Sequence, residues 1–226
     1  MAILDNIVSY WKMDEASGNA ADSVGANTAT NTGVTYAAGK INNGAVFNAT
    51  TDQFALGNII PGASDFTISA WVYLNQSVAN RSVFDQRNNS NGNALITYNC
   101  GSDNKFMLQL RNISAGGYTA TTSTNAVSNT TWTYLTVTRS GNTVTHYLNG
   151  SANGSGAVSA NTTGTDISWI GNFYGGGVNF DGMIDEVGIW SRALTSTEIT
   201  TLYNAGAGLQ YPFTVGNPSA FFQFFN

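Results

Sequence analysis

The sequence predicts an all-β fold, a sandwich or jelly roll with one short helix near the C-terminus. Strand periodicity recurs in about a dozen short stretches, while only one segment has a convincing helical pattern. Clusters rich in Gly and Asn separate the strands, as at 88–93, 149–156 and 174–177. Short strands joined by such turns are typical of antiparallel sandwiches.

The strongest strand signal lies at residues 66–74, FTISAWVYL. Apolar residues alternate along one side, and Trp71 and Tyr73 are on the other, which predicts a central strand with both faces covered. Strands are also predicted at 105–111, 132–139 and 143–149, and Gly141 supplies the hairpin turn between the last two. Shorter strands are predicted at 7–13, 44–48, 52–57, 82–87, 94–98, 117–122 and 167–171.

One helix is predicted to begin at Thr195, which forms a Thr-x-x-Glu capping box with Glu198. Ile199, Leu202 and Tyr203 give this helix an apolar stripe. The run Asn-Ala-Gly at 204–206 supplies the stop signal.

The chain beyond the helix differs in character, so we predict one domain over residues 1–208 and an aromatic tail over 209–226. The tail ends Phe-Phe-Gln-Phe-Phe-Asn. Each phenylalanine gains roughly 1.5–3 kcal/mol from full burial. Two interpretations therefore stay open: the tail packs across its own sandwich, or it docks onto a neighbouring subunit or larger assembly.

Charge is sparse in this chain, at 9% of residues with a formal net charge of -5. The eight basic residues are scattered, which argues against nucleic-acid binding. The sequence contains no run of 18 apolar residues, so it predicts no membrane-spanning helix. The first strand follows Met1 without a leader pattern, so we expect either a trimmed leader or export by another route, such as release inside a virus particle.

The sequence offers few residues that could support nucleophilic catalysis. Cys100 has no partner for a disulfide, and the single histidine, His146, lies within a predicted strand between Val144 and Leu148. We interpret His146 as a packed or hydrogen-bonded residue of the sheet. No nucleophile-elbow pattern accompanies it, and one His with one Cys makes a zinc site improbable.

Five segments, in order, resemble the laminin-G-like, concanavalin A-type jelly-roll family of lectins and glucanases. They are SYWKMDEASGNAADSVG, GAVFNA, FTISAWVYL, WTYLTVTRSGNTVTHYLNG and FDGMIDEVGIWSRALTSTEITTLYNAG, which together extend over about residues 7 to 206. The resemblance implies two antiparallel sheets in a jelly roll, with the first and last strands adjacent. Members of this family mostly bind ligands, and only some branches catalyse.

Asp185 and Glu186 are neighbours on a predicted strand, so alternation predicts that their side chains point to opposite faces. Related glucanases use carboxylates at alternate positions of one strand, and retaining hydrolysis needs two carboxyls about 5 Å apart. Asp85, Asp103 and Asp166 are isolated in or near predicted loops, with no pairing. We therefore predict no catalytic residues.

The resemblance implies a structural calcium ion that ties the N-terminal loop to the last strand. The matching oxygens are those of Asp22, Asn27 and Asp185, with Asp14 and Asp181 as second choices. Calcium prefers such carboxylate, amide and carbonyl oxygens. The alternatives stay open that Asp22 caps its own turn and that Asp185 bonds the opening loop without metal.

Sugar binding would need exposed aromatic rings beside amide groups. The candidates are Tyr174, Asn172, Phe173, Tyr118, Tyr98 and Asn93. Tyr174 is the first choice because the glycines that follow it let a ligand approach the backbone. Trp11, Trp71 and Trp190 are predicted to lie in the core.

We predict a non-catalytic binding or adhesion module whose partner is a glycan or cell-surface polysaccharide. Its predicted location is extracellular or on a virion, such as a bacteriophage particle, where the tail would mediate homo-oligomer or virion assembly. Two alternatives stay open: a structural virion decoration or assembly protein without a sugar site, and an accessory module of a secreted hydrolase.

Overall fold

The computed structural model describes residues 2–48, 51–60, 65–76, 81–87, 94–101, 103–112, 117–158, 167–172 and 179–214. In 94–97, 99–100, 111–112 and 117–118 only the backbone is described. The structure is a sandwich of two antiparallel sheets with one short helix. The predicted fold class is confirmed.

The larger sheet has eight strands, in the order β13-β12-β11-β6-β15-β4-β3, with β1 also paired to β15. Its strands are β1 (Ile7–Trp11), β3 (Thr35–Ala38), β4 (Asn43–Asn48), β6 (Phe66–Leu74), β11 (Thr133–Ser140), β12 (Thr143–Leu148), β13 (Ser151–Ala157) and β15 (Asp181–Trp190). Strand β15 pairs along one side with β6 and along the other with β4 and then β1. The first and last strands are therefore adjacent, as predicted.

The smaller sheet has seven strands, in the order β10-β9-β8-β7-β14-β5-β2. Its strands are β2 (Thr30–Thr32), β5 (Gln53–Leu56), β7 (Arg81–Arg87), β8 (Ala94–Cys100), β9 (Phe106–Asn112), β10 (Gly117–Thr122) and β14 (Ile167–Ile170). Strands β2, β3 and β13 were not predicted from the sequence. They are rich in Thr, Asn, Ser, Ala and Gly, so they lack the apolar alternation that reveals a strand.

The main core fills the space between the two sheets. Its large fully buried side chains include Trp11, Phe47, Phe54, Phe84 and Phe106. Alternation along β6 sends Phe66, Ile68, Ala70, Val72 and Leu74 into this core. The other side of β6 is also buried, which confirms the prediction of a central strand.

A second apolar cluster lies on the outer face of the eight-stranded sheet. Trp71, Tyr134 and Trp190 form its floor, and helix α1 (Ser196–Tyr203) contributes Ile199 and Leu202. Trp11, Trp71 and Trp190 are thus all buried, as predicted. Helix α1 and the segment after it therefore cover the centre of this sheet's outer face.

The predicted capping box is present at the start of α1. The Thr195 hydroxyl accepts a bond from the Glu198 amide, and the Glu198 carboxylate accepts one from the Thr195 amide. Glu198 also pairs with Arg192, whose guanidinium donates to the carbonyl oxygens of Ala2 and Asp5. This arginine joins the N-terminal segment to the helix. Among the described residues no helix has the length and apolar character needed to cross a membrane.

The chain after the helix folds back onto the outer face of the eight-stranded sheet. The rings of Tyr211 and Phe213 pack against Tyr10, and Phe213 also stacks on Trp190. The described beginning of the predicted tail therefore packs on its own sandwich. The phenylalanine-rich end of the tail lies outside the described residues, and the boundary at residue 208 stays a prediction.

Candidate binding face and carboxylate cluster

Strand β15 has a β-bulge at its centre. The pairing with β6 shifts between Asp185 and Gly188, and Glu186 has a φ of 52°. Asp185 stands opposite Trp71, which belongs to the outer cluster, and Glu186 bonds Tyr10 of the same cluster. The expectation that the two carboxyls point to opposite faces is therefore wrong, because the extra residue of the bulge breaks the alternation.

Glu186 is buried and held by groups from two distant parts of the chain. The Tyr10 hydroxyl donates to its Oε2 at 2.5 Å, and the Gln210 amide donates to its Oε1 at 2.6 Å. The same Gln210 nitrogen donates to Asp14 Oδ2 at 2.8 Å. Burial raises the pKa of Glu186 to about 7, although the bonds from Tyr10 and Gln210 oppose that rise.

Asp185 is also buried, and its two carboxylate oxygens differ in their hydrogen bonding. Its Oδ2 accepts backbone bonds from Lys40 at 2.8 Å and Ile41 at 3.0 Å, while Oδ1 has no hydrogen-bond partner among the described residues. Burial raises the pKa of Asp185 to about 8 despite the two backbone donors. In this conformation neither Asp185 nor Glu186 is accessible to a substrate, because the sheet and the segment after the helix cover both.

The residues predicted to hold calcium are not brought together around one point. Asp22 Oδ1 accepts backbone bonds from Tyr10 and Val24, and its Oδ2 accepts one from Asn27. The Asn27 amide donates to Ser9, and Asp185 bonds the turn before β4 instead. No cluster of three or more metal-ligating side chains occurs in the described part of the chain. Because backbone N–H groups already occupy Asp22, this donor set does not fit a shared calcium ion.

The predicted sugar-binding residues that the structure describes, Tyr98, Tyr118 and Asn172, do not come together. Tyr98 is wholly buried in the main core, where its ring packs against Phe106 and His146, so its prediction as a ligand contact is wrong. Alternation along β8 directs the Tyr98 side chain into the core, where the side chain of Phe84, its partner on β7, also lies. Asn93, Phe173 and Tyr174 lie outside the described residues.

The two remaining candidates are at opposite ends of the seven-stranded sheet. Tyr118 lies near the start of β10, at the end where Arg87 and Ile167 pair. Asn172 follows the last residue of β14 at the other end, where its amide donates to Gln53 Oε1. The length of a strand therefore separates them.

The outer face of the seven-stranded sheet carries an apolar stripe along β14. Ile167 is 46% exposed, and Trp169, two residues along on the same face, is buried, at 9% exposed. Directly across from Trp169 on β7 is Asp85, whose Oδ2 accepts a bond from Arg87 Nε at 2.6 Å. An apolar stripe thus lies beside a charged hydrogen-bonding pair. We call this set the β14 face: Ile167, Trp169, Asp85 and Arg87.

The β14 face was missed from the sequence. Asp85 was expected to be isolated near a loop, but it is buried within β7 and paired, so that expectation is wrong. The sequence could have indicated that Asp85 and Arg87 share a face, because 82–87 was predicted as a strand and residues two apart on a strand share a face. Trp169 could have been found in the same way, since Ile170 beside it lies in the core.

His146 is a packed and hydrogen-bonded residue of β12, as predicted, and it lies on the core-facing side of the strand. It is buried, and its Nε2 lies 2.9 Å from the Thr121 hydroxyl. Burial lowers its pKa to about 4. A neutral imidazole shielded in this way supports packing of the two sheets rather than proton transfer to a ligand.

Comparison with known families identifies the fold by sequence. A family model described as the concanavalin A-like lectin/glucanases superfamily, of laminin G type, matches residues 48–200. The chain belongs to this superfamily. The superfamily resemblance seen in the sequence is thereby confirmed, and the match includes both strands of the β14 face, β7 and β14. No curated protein matches the chain.

Solved structures with a similar fold include binding domains of larger proteins. Domain 4 of AbnA, a GH43 extracellular arabinanase from Geobacillus stearothermophilus solved with arabinotriose, superposes with a TM-score of 0.72 at 24% identity, covering 86% of this chain and 97% of that one. The binding domain of Paraclostridial Mosquitocidal Protein 1 gives 0.70 at 19% identity, covering 91% and 53%.

The receptor binding domain of botulinum neurotoxin D gives a TM-score of 0.71 at 14% identity, covering 91% of this chain and 54% of that one. The chain therefore spans about half the length of the two toxin binding domains and nearly all of the arabinanase domain. At these identities the likeness shows the fold, and the fold is one that binding domains of larger proteins use.

Proposed function

We propose that this chain is a non-catalytic carbohydrate-binding module of extracellular proteins or particles, and that a glycan lies along the β14 face. The observation that carries the proposal is the exposed Ile167, on the same face of β14 as the buried Trp169 and beside the Asp85–Arg87 pair. Sugars present apolar C–H faces together with hydroxyls, so a binding site needs apolar floor and polar groups at its edge. The β14 face combines both on a rigid sheet.

Two further features support a binding role. The arabinanase domain with this fold was solved with a bound arabinotriose. The neighbouring carboxyls Asp185 and Glu186 are buried beneath the segment after the helix, whereas glycosidase carboxyls must flank the bond that is cut. Location on a virion and assembly through the tail stay predictions, and a particle preparation analysed by mass spectrometry tests the first of them.

The test is binding to a glycan array by the intact chain and two matched variants. Ile167→Ala removes an exposed apolar side chain from the β14 face, and Leu4→Ala removes one of nearly equal exposure, 45%, elsewhere. Because both residues are largely in water, neither change should alter the fold. We expect Ile167→Ala to weaken glycan binding at least about threefold and Leu4→Ala to leave it unchanged. Equal binding by all three forms would contradict the site, and no binding to any glycan would contradict the function.

A further inference from the structure

A row of half-buried side chains crosses the outer face of the eight-stranded sheet, beside the outer cluster. Tyr73 on β6 pairs with Met183 on β15, and Met183 pairs in turn with Val46 on β4. Each of the three alternates with residues of the main core, so their side chains lie on the outer face. The ring of Trp132, just before β11, lies beside that of Tyr73, with 5.7 Å between the ring centroids. We call these four residues the β15 row.

The β15 row remains partly accessible while the neighbouring positions are covered. Its four side chains are half-buried, whereas Trp71 and Tyr134, one row nearer to helix α1, are buried. Tyr73 and Val46 are two strand spacings apart, about 10 Å, and the Trp132 ring extends the row beyond Tyr73. Trp132 also packs against the outer cluster, which fixes its position on the sheet. The row is therefore a preformed apolar floor with an accessible surface.

The two aromatic residues of the row also carry polar groups. Hydrogen bonds within the described part of the chain reach neither the Tyr73 hydroxyl nor the Trp132 indole nitrogen. The hydroxyl can donate or accept a hydrogen bond, and the indole nitrogen can donate one. A ligand that combines apolar faces with hydroxyl groups would use both the rings and their polar groups.

Amide and carboxyl groups border the β15 row along one side. Asp181 is two residues before Met183 on β15, so it lies on the same face, and its partner Asn48 on β4 is exposed. The Asp181 Oδ1 accepts a bond from Asn75 Nδ2 at 2.8 Å, and its Oδ2 accepts one from Gln76 Nε2 at 2.5 Å. Because the carboxylate is negative and both of its oxygens are bonded, this border disfavours an acidic ligand and suits an uncharged one.

We propose that the β15 row is a second glycan-binding site, which takes an uncharged oligosaccharide with its sugar rings on Trp132 and Tyr73. An apolar floor with a few polar groups at its edge is the usual composition of a small-ligand site. The β14 face lies on the outer side of the other sheet, so the two sites face in opposite directions. One module can then hold two glycan chains, and two sites on one polymer raise its apparent affinity. This inference goes beyond the proposed function, which needs only the β14 face.

The first experiment uses Trp132 as a fluorescent reporter, since it is half-buried. The other four tryptophans are buried: Trp11, Trp71, Trp169 and Trp190. Tryptophan emission and its quenching by acrylamide are measured with maltohexaose, cellohexaose, xylohexaose and mannohexaose, and with hexagalacturonate as the acidic counterpart. We expect at least one neutral sugar to shift the emission and reduce quenching, with a Kd of about 1 mM or tighter. Hexagalacturonate should cause no shift.

The second experiment measures binding of the same neutral sugar to variants by calorimetry. Trp132→Ala should weaken binding at least about tenfold, and Met183→Ala at least about threefold. Met107→Ala is the matched control, because Met107 is also half-buried but lies on the outer face of the other sheet. Melting temperatures are recorded for all variants. Tyr73→Phe removes a hydroxyl outside the hydrogen bonds of the fold, so its loss of binding decides the result if Trp132→Ala unfolds.

The outcomes separate this inference from the proposed function. Losses in Trp132→Ala and Met183→Ala, with Ile167→Ala unchanged, support the β15 row. A loss in Ile167→Ala with none in Met183→Ala places the sugar on the β14 face alone and overturns the second site. Equal losses in Met107→Ala and Met183→Ala also overturn it, and preferential binding of hexagalacturonate overturns the uncharged class. Binding of none of the neutral hexasaccharides overturns the second site, while the glycan array decides the proposed function independently.

Discussion

The Tyr10 hydroxyl donates a hydrogen bond of 2.5 Å to Glu186 Oε2, and the two residues are 176 positions apart in the chain. This bond links the first strand to the bulge of the last one. Gln210 then ties the segment after the helix to the same carboxylate. Both ends of the domain are thus joined at one buried acid.

Loss of the Tyr10 hydroxyl is expected to destabilise the fold. Tyr10→Phe keeps the ring packing but removes a donor from the buried Glu186, which should lower the free energy of unfolding by about 1–3 kcal/mol. Urea denaturation measures this change. Tyr36→Phe is the control, because its hydroxyl donates to the Gly18 carbonyl at an exposed position, and an equal loss in both variants would contradict the role of Glu186.

Stability is expected to fall as the pH rises from about 4 to about 8. Burial raises the pKa of Asp185 to about 8 and that of Glu186 to about 7, from 3.8 and 4.5. The folded chain therefore holds protons that the unfolded chain has already released in this range, so increasing pH favours unfolding. Scanning calorimetry should give a lower melting temperature at pH 8.5 than at pH 5.5.

Asp185→Asn provides the check on that pH dependence. The variant cannot ionise at this position, so its melting temperature should change less between pH 5.5 and pH 8.5 than that of the parent chain. A parent chain that becomes more stable as the pH rises through this range would contradict the assignment.

Calcium is expected to have little effect on stability. Backbone N–H groups already occupy both oxygens of Asp22, and Asp185 bonds a different turn. The melting temperature should therefore agree within about 1 °C in excess calcium and in excess chelator. A larger rise with calcium that disappears in Asp22→Asn would instead support the ion predicted from the family resemblance.

Local sequence patterns were sufficient to predict features that depend on residues close together in the chain. The capping box of Thr195 and Glu198 and the hairpin at Gly141 were predicted because each depends on a few adjacent residues. The central strand β6 was predicted because both of its faces are apolar. Strand β13, SANGSGA, was missed because its residues are too small and polar to show a buried face.

The candidate site was harder to predict for a different reason. A single bulge put Asp185 and Glu186 on one face, and a bulge leaves no reliable trace in residue type. The pairing of β14 with β7 brought Trp169 opposite Asp85, although 84 positions separate them. Such pairing depends on which strands become neighbours, and alternation within one strand cannot reveal it.

The sequence alone determined a two-layered β architecture of known superfamily, with its helix, its central strand and its buried tryptophans. Strand periodicity and helix capping depend on residues close together in the sequence. Strand periodicity is visible because apolar side chains alternate toward the core. The tertiary structure decided which residues share the β14 face and which acids become buried neighbours. Those results depend on strand order and register, which arise only when distant segments meet.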